Sequence, residues 1–521
     1  MENKKYYITT AIPYASTLPH IGNVYEAILT DAVARFKSLD GYDVWFQTGT
    51  DEHGQKIETK ANLNGISPKT YVDSISSGIK DIFASVNVKY DKFVRTTDDY
   101  HVKTVQKIFK KLFDQGDIYL GKYEGWYSVS EEAFINEKDI VDGLAPNGDI
   151  PIWTEEEAYF LDLKKYQKRL VEHIKKNPDF ISPESRKNEM LNNFLKEDLL
   201  DLCVSRASFK WGIPVDFAKG HVVYVWIDAL SNYITGLGYD LDKNSDLFRK
   251  NWPADVHIIG KDILRFHTIY WPIILMALGL PLPKKVFGHP WVLFNKEKMS
   301  KSTGNVIYTK DLVENFGVDV VRYYCLHEIP FAQDGNLTYQ LVIERNNSDL
   351  ANTIGNLVNR TIGMANKYTD GLITNPKIAE PFDLDLKEKA LEVLPKVRNL
   401  IDELRVGDAL EEVIQLARYA NKYIDVSEPW LLFKDETKKN VLNHVLYNLV
   451  EAIRFIAVLL QPFIPDTARR IAEQILVTDL SFESVSKFGV YPNQKIGKAE
   501  VLFERFDIDK KLEEIEKKYN G

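Results

Sequence analysis

The sequence has only two cysteines, Cys203 and Cys325, among its 521 residues. They lie far apart and have no neighbouring pattern of metal ligands. The sequence therefore predicts neither a disulfide framework nor a cysteine-based zinc site. This cysteine usage fits a reducing compartment such as the cytoplasm.

Long hydrophobic runs are also lacking. The N-terminal residues have no apolar core or cleavage site of a secretory signal, and no run reaches the roughly 18 apolar residues of a membrane span. The longest apolar stretch, from Ile453 to Pro465, is interrupted by Arg454 and Gln461, which favours a buried helix end. We expect a cytoplasmic protein without a membrane partner.

Positive charge is not in excess, because the formal net charge is -9. A strongly basic domain is the usual sign of nucleic-acid binding in a sequence. We therefore expect no DNA partner, and any contact with RNA must use local patches.

The length exceeds what one hydrophobic core supports, so several domains are expected. The opening YYITTAI and the segment from Gly41 to Gly49 are rich in aromatic and β-branched residues, which predicts two buried strands. Between them, apolar residues with helical spacing predict a helix; these are Ile21, Val24, Tyr25, Ile28, Ala32 and Phe36. This order predicts an α/β fold with a parallel, Rossmann-type sheet.

The parallel-sheet pattern resumes at the strand-like segment Asp255–Gly260, after a gap longer than any ordinary crossover. This gap predicts an inserted domain, and from about Glu344 helical patterns replace strand patterns. We expect a Rossmann-type catalytic domain in two halves, residues 1–115 and 221–275, with an inserted connective domain at residues 116–220 between them. A linking domain at residues 276–343 and an all-α helical-bundle domain at residues 344–521 should follow.

The segment Pro13–Asn23 lies between the first strand and the first helix, where nucleotides bind in such folds. Free N–H groups at a helix start favour phosphate, and His20 could donate a hydrogen bond to a phosphoryl oxygen. Taken alone, this short motif also fits a histidine that only caps the helix.

The segment Lys296–Asn305 offers Lys298, Ser300, Lys301 and Ser302 on a loop that contains a glycine. Lysine suits phosphate as a compact charge, and a mobile loop can bring it to charge that develops in the transition state. Taken alone, this segment also fits a solvated basic loop.

HIGN, KMSKS and a helical C-terminal domain together resemble class I aminoacyl-tRNA synthetases, whose signatures are HIGH and KMSKS. The finer resemblance is to methionyl-tRNA synthetases, from Tyr6 to about Phe463, through AIPYASTLPHIGN, FQTGTDEHGQKI, KYEGWY, YVWIDALSNY, IIGKDILRFH, GHPWVLFNKEKMSKSTGN, NLVNRTIG and SEPW. It implies ATP-dependent activation of L-methionine and transfer to tRNA(Met), initiator and elongator. The helical domain would then bind the anticodon.

The resemblance implies a methionine site in which Asp51 holds the substrate ammonium group. The spacing of the other residues allows shared helical faces, and aromatic walls suit a polarizable thioether. Without the resemblance, these aromatic residues would be interpreted as core. The implied side-chain pocket comprises Ile12, Tyr14, Trp226, Ala229, Leu230, Tyr233, Ile263 and His267.

The resemblance assigns His20, Lys298 and Lys301 to catalysis on ATP, which is bound with Mg²⁺ as a substrate complex. Gly22, Asn23 and Ser300 complete the implied ATP site. Asn23 replaces the last histidine of HIGH, and its amide can still donate a hydrogen bond.

In the helical domain, Asn356 and Arg360 fall opposite an apolar stripe. They match the positions that read the CAU anticodon, and Trp430 matches the aromatic on which an anticodon base stacks. The alternatives are a solvated helix face for Asn356 and Arg360, and core packing for Trp430. The stripe comprises Leu350, Ile354, Leu357, Val358 and Ile362.

Ser128 and Glu131 stand where many relatives carry the CxxC of a zinc knuckle. Serine is no substitute for a thiolate ligand, so we expect no structural zinc. Packing of Trp126, Tyr127 and Phe134 should hold the knuckle instead.

Other synthetases fit less well. The isoleucyl, valyl and leucyl enzymes carry a much larger inserted editing domain, and two cysteines exclude the thiolate-rich site of a cysteinyl enzyme. A tRNA-binding paralogue that no longer catalyses stays open because of Asn23. No further domain follows the helical one, so we expect a monomer.

Overall fold

The computed structural model describes residues 4–128, 133–135, 137, 140–145, 148–299, 306–380 and 383–519. The chain forms two compact units. Unit 1 comprises Met1–Pro19, Asp43–Ala84 and Lys89–His289, and unit 2 comprises His20–Tyr42, Ser85–Val88 and Pro290–Gly521.

The strands are numbered in chain order. They are β1 (Lys5–Thr10), β2 (Asp43–Thr50), β3 (Lys92–Arg95), β4 (Ile118–Ser128), β5 (Ala133–Ile135), β6 (Ile152–Leu161), β7 (Ile181–Ser182), β8 (Leu202–Cys203), β9 (Ser205–Arg206), β10 (Val222–Val223), β11 (Val256–Gly260), β12 (Val286–His289), β13 (Val292–Phe294), β14 (Glu297–Lys298), β15 (Gly335–Asn336), β16 (Leu372–Ile373) and β17 (Gln494–Lys495).

The α-helices are numbered in the same way. They are α1 (Ile21–Leu39), α2 (Gln55–Leu63), α3 (Pro68–Ser85), α4 (Asp99–Asp114), α5 (Lys164–Lys176), α6 (Glu184–Glu189), α7 (Trp226–Thr235), α8 (Asp246–Asn251), α9 (Trp271–Leu278), α10 (Thr309–Phe316), α11 (Val318–Glu328), α12 (Tyr339–Arg345), α13 (Asn356–Thr369), α14 (Asp383–Asp402), α15 (Val406–Ser427), α16 (Pro429–Leu432), α17 (Lys439–Leu460), α18 (Pro465–Gln474) and α19 (Ile508–Tyr519).

Unit 1 is built on a parallel sheet with the strand order β3-β2-β1-β11-β12-β7. Ile8 in β1 is fully buried and pairs with Phe46 on one side and Val256 on the other. Near-continuous apolar strands of this kind are typical of parallel sheets that are covered on both faces. The predicted Rossmann-type α/β fold is confirmed.

The segment predicted as an insertion forms an antiparallel sheet with the order β5-β4-β6-β8. Its short strand β7, however, pairs with β12 and becomes an edge of the main parallel sheet. A two-residue strand carries no periodicity, so the sequence could not indicate this pairing.

Unit 2 is mainly helical, and its core is centred on α17. The sequence from Ile453 to Ile464 is buried apart from Gln461, which confirms the predicted buried helix end. Within the described residues, one helical stretch, Glu436–Leu460, contains an 18-residue window with the mean hydropathy, 1.3, of a membrane span. Because 89% of that window is buried inside the protein, the stretch is a core helix.

The predicted helices of unit 2 are largely confirmed. All six apolar residues of the predicted stripe in α1 are buried, and Ile515 of the C-terminal helix α19 is only 3% exposed. The apolar stripe predicted from Leu350 to Ile362 does not lie on a single α-helix, because Asn346–Gly355 is π-helical and α13 starts at Asn356. In this wider segment the Thr353 hydroxyl donates to the Ser348 carbonyl, five residues earlier, over 2.9 Å.

The segment Phe266–Tyr270, between β11 and α9, is also π-helical. Pro272, in the first turn of α9, has no N–H to give to the Thr268 carbonyl, which loosens the α-helical ladder at this point. Such π-bulges are frequent at functional sites.

Candidate active site and anticodon face

The carboxyl ends of β1 and β2 bring Tyr14 and Asp51 side by side in unit 1. The two residues form an isolated parallel bridge. The Ala15 N–H donates to the Asp51 carbonyl over 2.7 Å, and the Asp51 N–H donates to the Pro13 carbonyl over 2.9 Å. Ligands bind at this edge of a parallel sheet. A carboxylate fixed here suits a substrate ammonium group.

The helix α7 supplies four of the predicted pocket residues. Ala229, Leu230 and Tyr233 are buried, whereas Trp226 in the first turn is half-buried, like Ile12 and Tyr14 of the first motif. The Trp226 ring stacks on Phe266, with 3.5 Å between ring centroids and 9° between planes. The sequence did not identify Phe266, although it lies beside the predicted residue His267.

Tyr233 and His267 form a hydrogen-bonded pair. Nδ1 of His267 donates to the Ile263 carbonyl over 3.0 Å, so Nε2 accepts from the Tyr233 hydroxyl over 2.7 Å. Burial lowers the pKa of His267 to about 4, so the ring is neutral at physiological pH. An uncharged, aromatic environment suits an apolar side chain that contains sulfur.

A buried network that the sequence did not reveal connects α7 to the loop after β2. Asp228 is fully buried and accepts hydrogen bonds from His53 Nδ1, at 2.7 Å, and His101 Nε2, at 2.8 Å. Burial opposes the charged form of Asp228, but the two imidazoles hold its pKa below the usual value of an aspartate. The network ties the helix of Trp226 and Tyr233 to the loop of Asp51.

A second set of bonds holds the same loop from the other side. Glu52 is fully buried and accepts two hydrogen bonds from the Arg95 guanidinium, at 2.7 and 2.9 Å. The indole N–H of Trp211 donates to the Glu52 carbonyl over 2.6 Å, and the Gly54 N–H donates to the Trp211 carbonyl over 3.0 Å. Each of the next three residues of the loop, 52–54, is therefore held by a hydrogen bond, and these bonds fix the position of Asp51.

In unit 2, His20 caps α1. Its Nδ1 accepts a hydrogen bond from the Gly22 N–H over 3.1 Å, which leaves the proton of the neutral ring on Nε2 as a donor. A Cβ at Gly22 would lie 2.9 Å from Cε1 of His20, so only glycine leaves room for this ring position. Asn23 is exposed in the same first turn. His20 therefore caps the helix, and this cap is compatible with phosphate binding.

Lys298, the first residue of the KMSKS segment, lies on the exposed strand β14. Its Nζ is 4.2 Å from the centroid of the Trp291 ring, in a cation–π contact. Ser300 and Lys301, which were also predicted to bind ATP, and Ser302 lie outside the described residues.

Asn356 and Arg360 lie on the outer face of α13, opposite the buried stripe, as predicted. The Asn356 amide is 3.5 Å from Oδ1 of Asn421, and the Arg360 guanidinium is 3.3 Å from Oδ1 of Asp425. Trp430 is half-buried in α16, just after α15 ends. These side chains offer donors, acceptors and an aromatic ring on the surface of unit 2.

The residues in place of a zinc knuckle do not fit a zinc ion. The Ser128 hydroxyl is buried and donates to Asp149 over 3.1 Å, and serine is not a zinc ligand of structural sites. Trp126 packs against Trp153 at 5.4 Å, and Tyr127 packs under Arg206 at 4.1 Å. Glu131 and the Phe134 side chain lie outside what the structure describes.

Among the described residues, His327, Glu328 and Asp349 are spaced as metal ligands would be. Arg345 pairs with Glu328 at 2.9 Å, and Arg418 pairs with Asp349 at 3.0 Å. Cations of the protein itself therefore neutralise this group.

A parallel α/β unit with candidate ligand residues at the strand ends, in one chain with a helical unit, is the architecture of a class I aminoacyl-tRNA synthetase. The family described as "tRNA synthetases class I (M)" matches residues 6–149 and 144–362, and the "Anticodon binding domain of methionyl tRNA ligase" matches residues 379–521. The chain belongs to the methionyl-tRNA synthetase family.

Individual relatives agree with this assignment. The chain is 55% identical to a methionine–tRNA ligase of Clostridium acetobutylicum over 99% of the chain and 80% of that protein's length. It is 47% identical to the Bacillus subtilis methionine–tRNA ligase over the whole chain and 81% of that protein's length. The structure of Mycobacterium tuberculosis methionyl-tRNA synthetase with methionyl-adenylate is similar at a TM-score of 0.92 and 42% identity, covering 96% of this chain and all of that chain.

Proposed function

We propose that this chain activates L-methionine with ATP and transfers the methionyl group to tRNA(Met), initiator and elongator. The observation that carries this proposal is the pairing of a carboxylate site at Tyr14 and Asp51 with a neutral aromatic pocket around Tyr233 and His267. The first suits the ammonium group of an amino acid, and the second suits a thioether side chain.

In the first step, a methionine carboxylate oxygen attacks the α-phosphorus of ATP, and the bond from the α-phosphorus to the bridging oxygen breaks. Pyrophosphate leaves and methionyl-adenylate remains. The protein aligns the reactants and neutralises charge, and no general base is needed. We assign the Nε2–H of His20, Asn23 and the ammonium groups of Lys298 and Lys301 to the phosphates, with Gly22 and Ser300 completing the site. Mg²⁺ enters bound to ATP.

In the second step, a terminal ribose hydroxyl of the tRNA attacks the carbonyl carbon of the adenylate, and AMP leaves. Asn356 and Arg360 would read the edges of unpaired anticodon bases, and Trp430 would stack on one of them. Asp425, beside Arg360, would hold that guanidinium in position.

The proposal is tested by exchange of labelled pyrophosphate into ATP, with each of the twenty amino acids and without tRNA. Exchange should depend on methionine alone. Asp51→Asn should raise the KM for methionine at least roughly tenfold, since a charged contact to the ammonium group is lost. Asp117→Asn, at another buried carboxylate of unit 1, is the matched control. No exchange with any amino acid would leave the non-catalytic tRNA-binding alternative.

Several finer features are part of the same proposal. We propose a cytoplasmic monomer without structural zinc, with the domain boundaries expected from the sequence. The donor chemistry around Ser128 supports the absence of zinc. Elemental analysis of the purified protein and its sedimentation in solution test the zinc content and the monomeric state.

A further inference from the structure

Helix α13 and the chain from Asn421 to Phe433 contact each other at successive points on the surface of unit 2. The contacts pair Asn356 with Asn421, Arg360 with Asp425 and, two turns further along α13, Tyr368 with Phe433. The Tyr368 and Phe433 rings are stacked, with 4.4 Å between centroids and 21° between planes. We call this pair the aromatic platform. It continues the face assigned to the anticodon.

The aromatic platform lines a cavity of about 510 Å³. Phe433 is 45% exposed, although a ring of this size is usually covered when it serves only packing. Lys367 and Lys439 also line the cavity, and the Lys367 Nζ is 5.7 Å from the Tyr368 ring centroid. An exposed ring face and two ammonium groups thus occur at one place.

Three acidic residues, Asp370, Asp435 and Glu436, also line the cavity. Asp370 pairs with Lys495 over 2.9 Å, and Asp435 accepts hydrogen bonds from the backbone and hydroxyl of Thr437. Glu436 is the remaining acidic residue of the lining. The lining thus has no excess of positive charge, so the exposed ring face, and not the net charge, favours a ligand with an aromatic group, and the two lysines provide local contacts for its phosphates.

The distance along the surface identifies which ligand fits. Arg360 and Tyr368 are eight positions apart, which is about 12 Å along α13. Stacked nucleotides of one strand are about 3.4 Å apart, so a strand held at Asn356, Arg360 and Trp430 by its anticodon reaches the aromatic platform a few nucleotides later. A nucleobase stacks on an exposed ring, and its phosphate suits a lysine.

We propose that the aromatic platform binds an unpaired nucleobase of the tRNA loop that flanks the anticodon, while Lys367 and Lys439 contact its phosphates. This inference rests on the proposed anticodon face and adds a subsite to it. The base is held by stacking, which tolerates any base identity, so the subsite contributes affinity and not sequence selection.

The test uses a hairpin RNA with the anticodon stem and loop, and variants with one abasic nucleotide at each loop position outside the anticodon. Dissociation constants are measured for the wild type, Phe433→Leu, Phe433→Tyr and Leu431→Ala. Leu431 is the matched control, because it is 47% exposed next to Phe433 but does not line the cavity.

We expect Phe433→Leu to weaken binding of the intact hairpin roughly 5- to 100-fold, the usual effect of one stacked base, while Phe433→Tyr and Leu431→Ala stay within about twofold of the wild type. One abasic position should weaken binding to the wild type by the same factor and have no further effect in Phe433→Leu. Equal abasic effects in both proteins, or equal weakening by Phe433→Leu and Leu431→Ala, would overturn the proposal.

Circular dichroism of each variant shows whether it is folded. If Phe433→Leu is not, the abasic hairpins measured with the wild type keep the test valid, because an absence of weakening at every loop position outside the anticodon would overturn the proposal. Trp430→Ala distinguishes an error in the proposed anticodon face from an error in the aromatic platform. If it leaves hairpin binding unchanged, the anticodon face itself is wrong; if it weakens binding while Phe433→Leu does not, only the aromatic platform is wrong.

Discussion

At the scale of single residues, Asp228 connects the two parts of the proposed methionine site. It lies on α7, between Trp226 and Tyr233, and its carboxylate holds His53, two residues after Asp51. A shift of this bond would change the spacing between the ammonium site and the side-chain pocket. A misplacement of about 1 Å at an active site lowers the reaction rate by up to about 100-fold.

We expect Asp228→Asn to weaken methionine binding roughly 10- to 100-fold while ATP binding changes less than about twofold. Equilibrium binding of each ligand measures this. Asp117→Asn, which removes a buried carboxylate paired with Lys165, should leave methionine binding unchanged. Equal losses for methionine and ATP would show a general defect in folding instead of a positioning role.

Gly22 gives a second test at this scale. Gly22→Ala places a methyl group against the His20 ring, so the ring must move and the cap is lost. We expect the rate of methionine-dependent pyrophosphate exchange to fall roughly 10- to 100-fold. Gly363→Ala is the control, since a Cβ there meets nothing within 4 Å. An unchanged exchange rate in Gly22→Ala would contradict the role of His20.

The low pKa of His267 gives a pH dependence. Its folded pKa of about 4 lies below the ordinary value of 6.5, so the unfolded chain binds the proton first as the pH falls. Stability is therefore full above pH 6.5 and falls between pH 6.5 and 4. At pH 4.5 the protonation of this residue lowers the free energy of unfolding by about 2 to 3 kcal/mol.

Urea unfolding of the wild type and of His267→Gln at pH 7 and 4.5 measures this loss, which should be smaller in the variant. Methionine binding should not vary between pH 8 and 6, because the ring stays neutral. An NMR titration of His267 with a midpoint near 6.5 would contradict both expectations.

At the scale of elements, Arg322 of α11 holds three segments of unit 2 together. Its fully buried guanidinium pairs with Asp31 of α1 at 2.7 Å and donates to the carbonyls of Val86, Pro462 and Phe463 at 3.0, 3.2 and 2.7 Å. Removal of Arg322 leaves Asp31 paired with Arg35 alone and takes the guanidinium donor away from three buried carbonyls.

We expect Arg322→Met to lower the free energy of unfolding of unit 2 by about 3 to 5 kcal/mol. Arg405→Met removes an exposed ion pair with Asp408 and should lower the free energy of unfolding by less than about 1 kcal/mol. Chemical denaturation of both variants provides the comparison. Equal effects would mean that the buried network contributes no more than a surface ion pair.

The elements also show what a sequence can predict. The apolar stripe of α1 and the apolar strands β1, β2 and β11 were evident because their periodicity is local. The bond between His53 and Asp228 joins residues 175 positions apart and leaves no local pattern. The π-helical turn at His267 depends on Pro272 and its surroundings, and the pairing of β7 depends on a neighbouring strand.

At the scale of the whole molecule, the resemblance carried most of the site prediction. Composition and spacing alone favour a helix-capping role for His20 and a position in the core for Trp226. The candidate methionine residues all belong to unit 1, whereas His20, Lys298, Asn356 and Trp430 belong to unit 2. One polypeptide thus carries candidate groups for both steps, amino-acid activation and tRNA selection.

The most direct test of this account is the charging of tRNA with labelled methionine by the purified chain. The account predicts methionyl-tRNA with a tRNA that carries the CAU anticodon, and a loss of at least roughly tenfold in charging when that anticodon is replaced or when Trp430 is changed to alanine. Methionine-dependent exchange without transfer to any tRNA, or charging that ignores the anticodon, would contradict it.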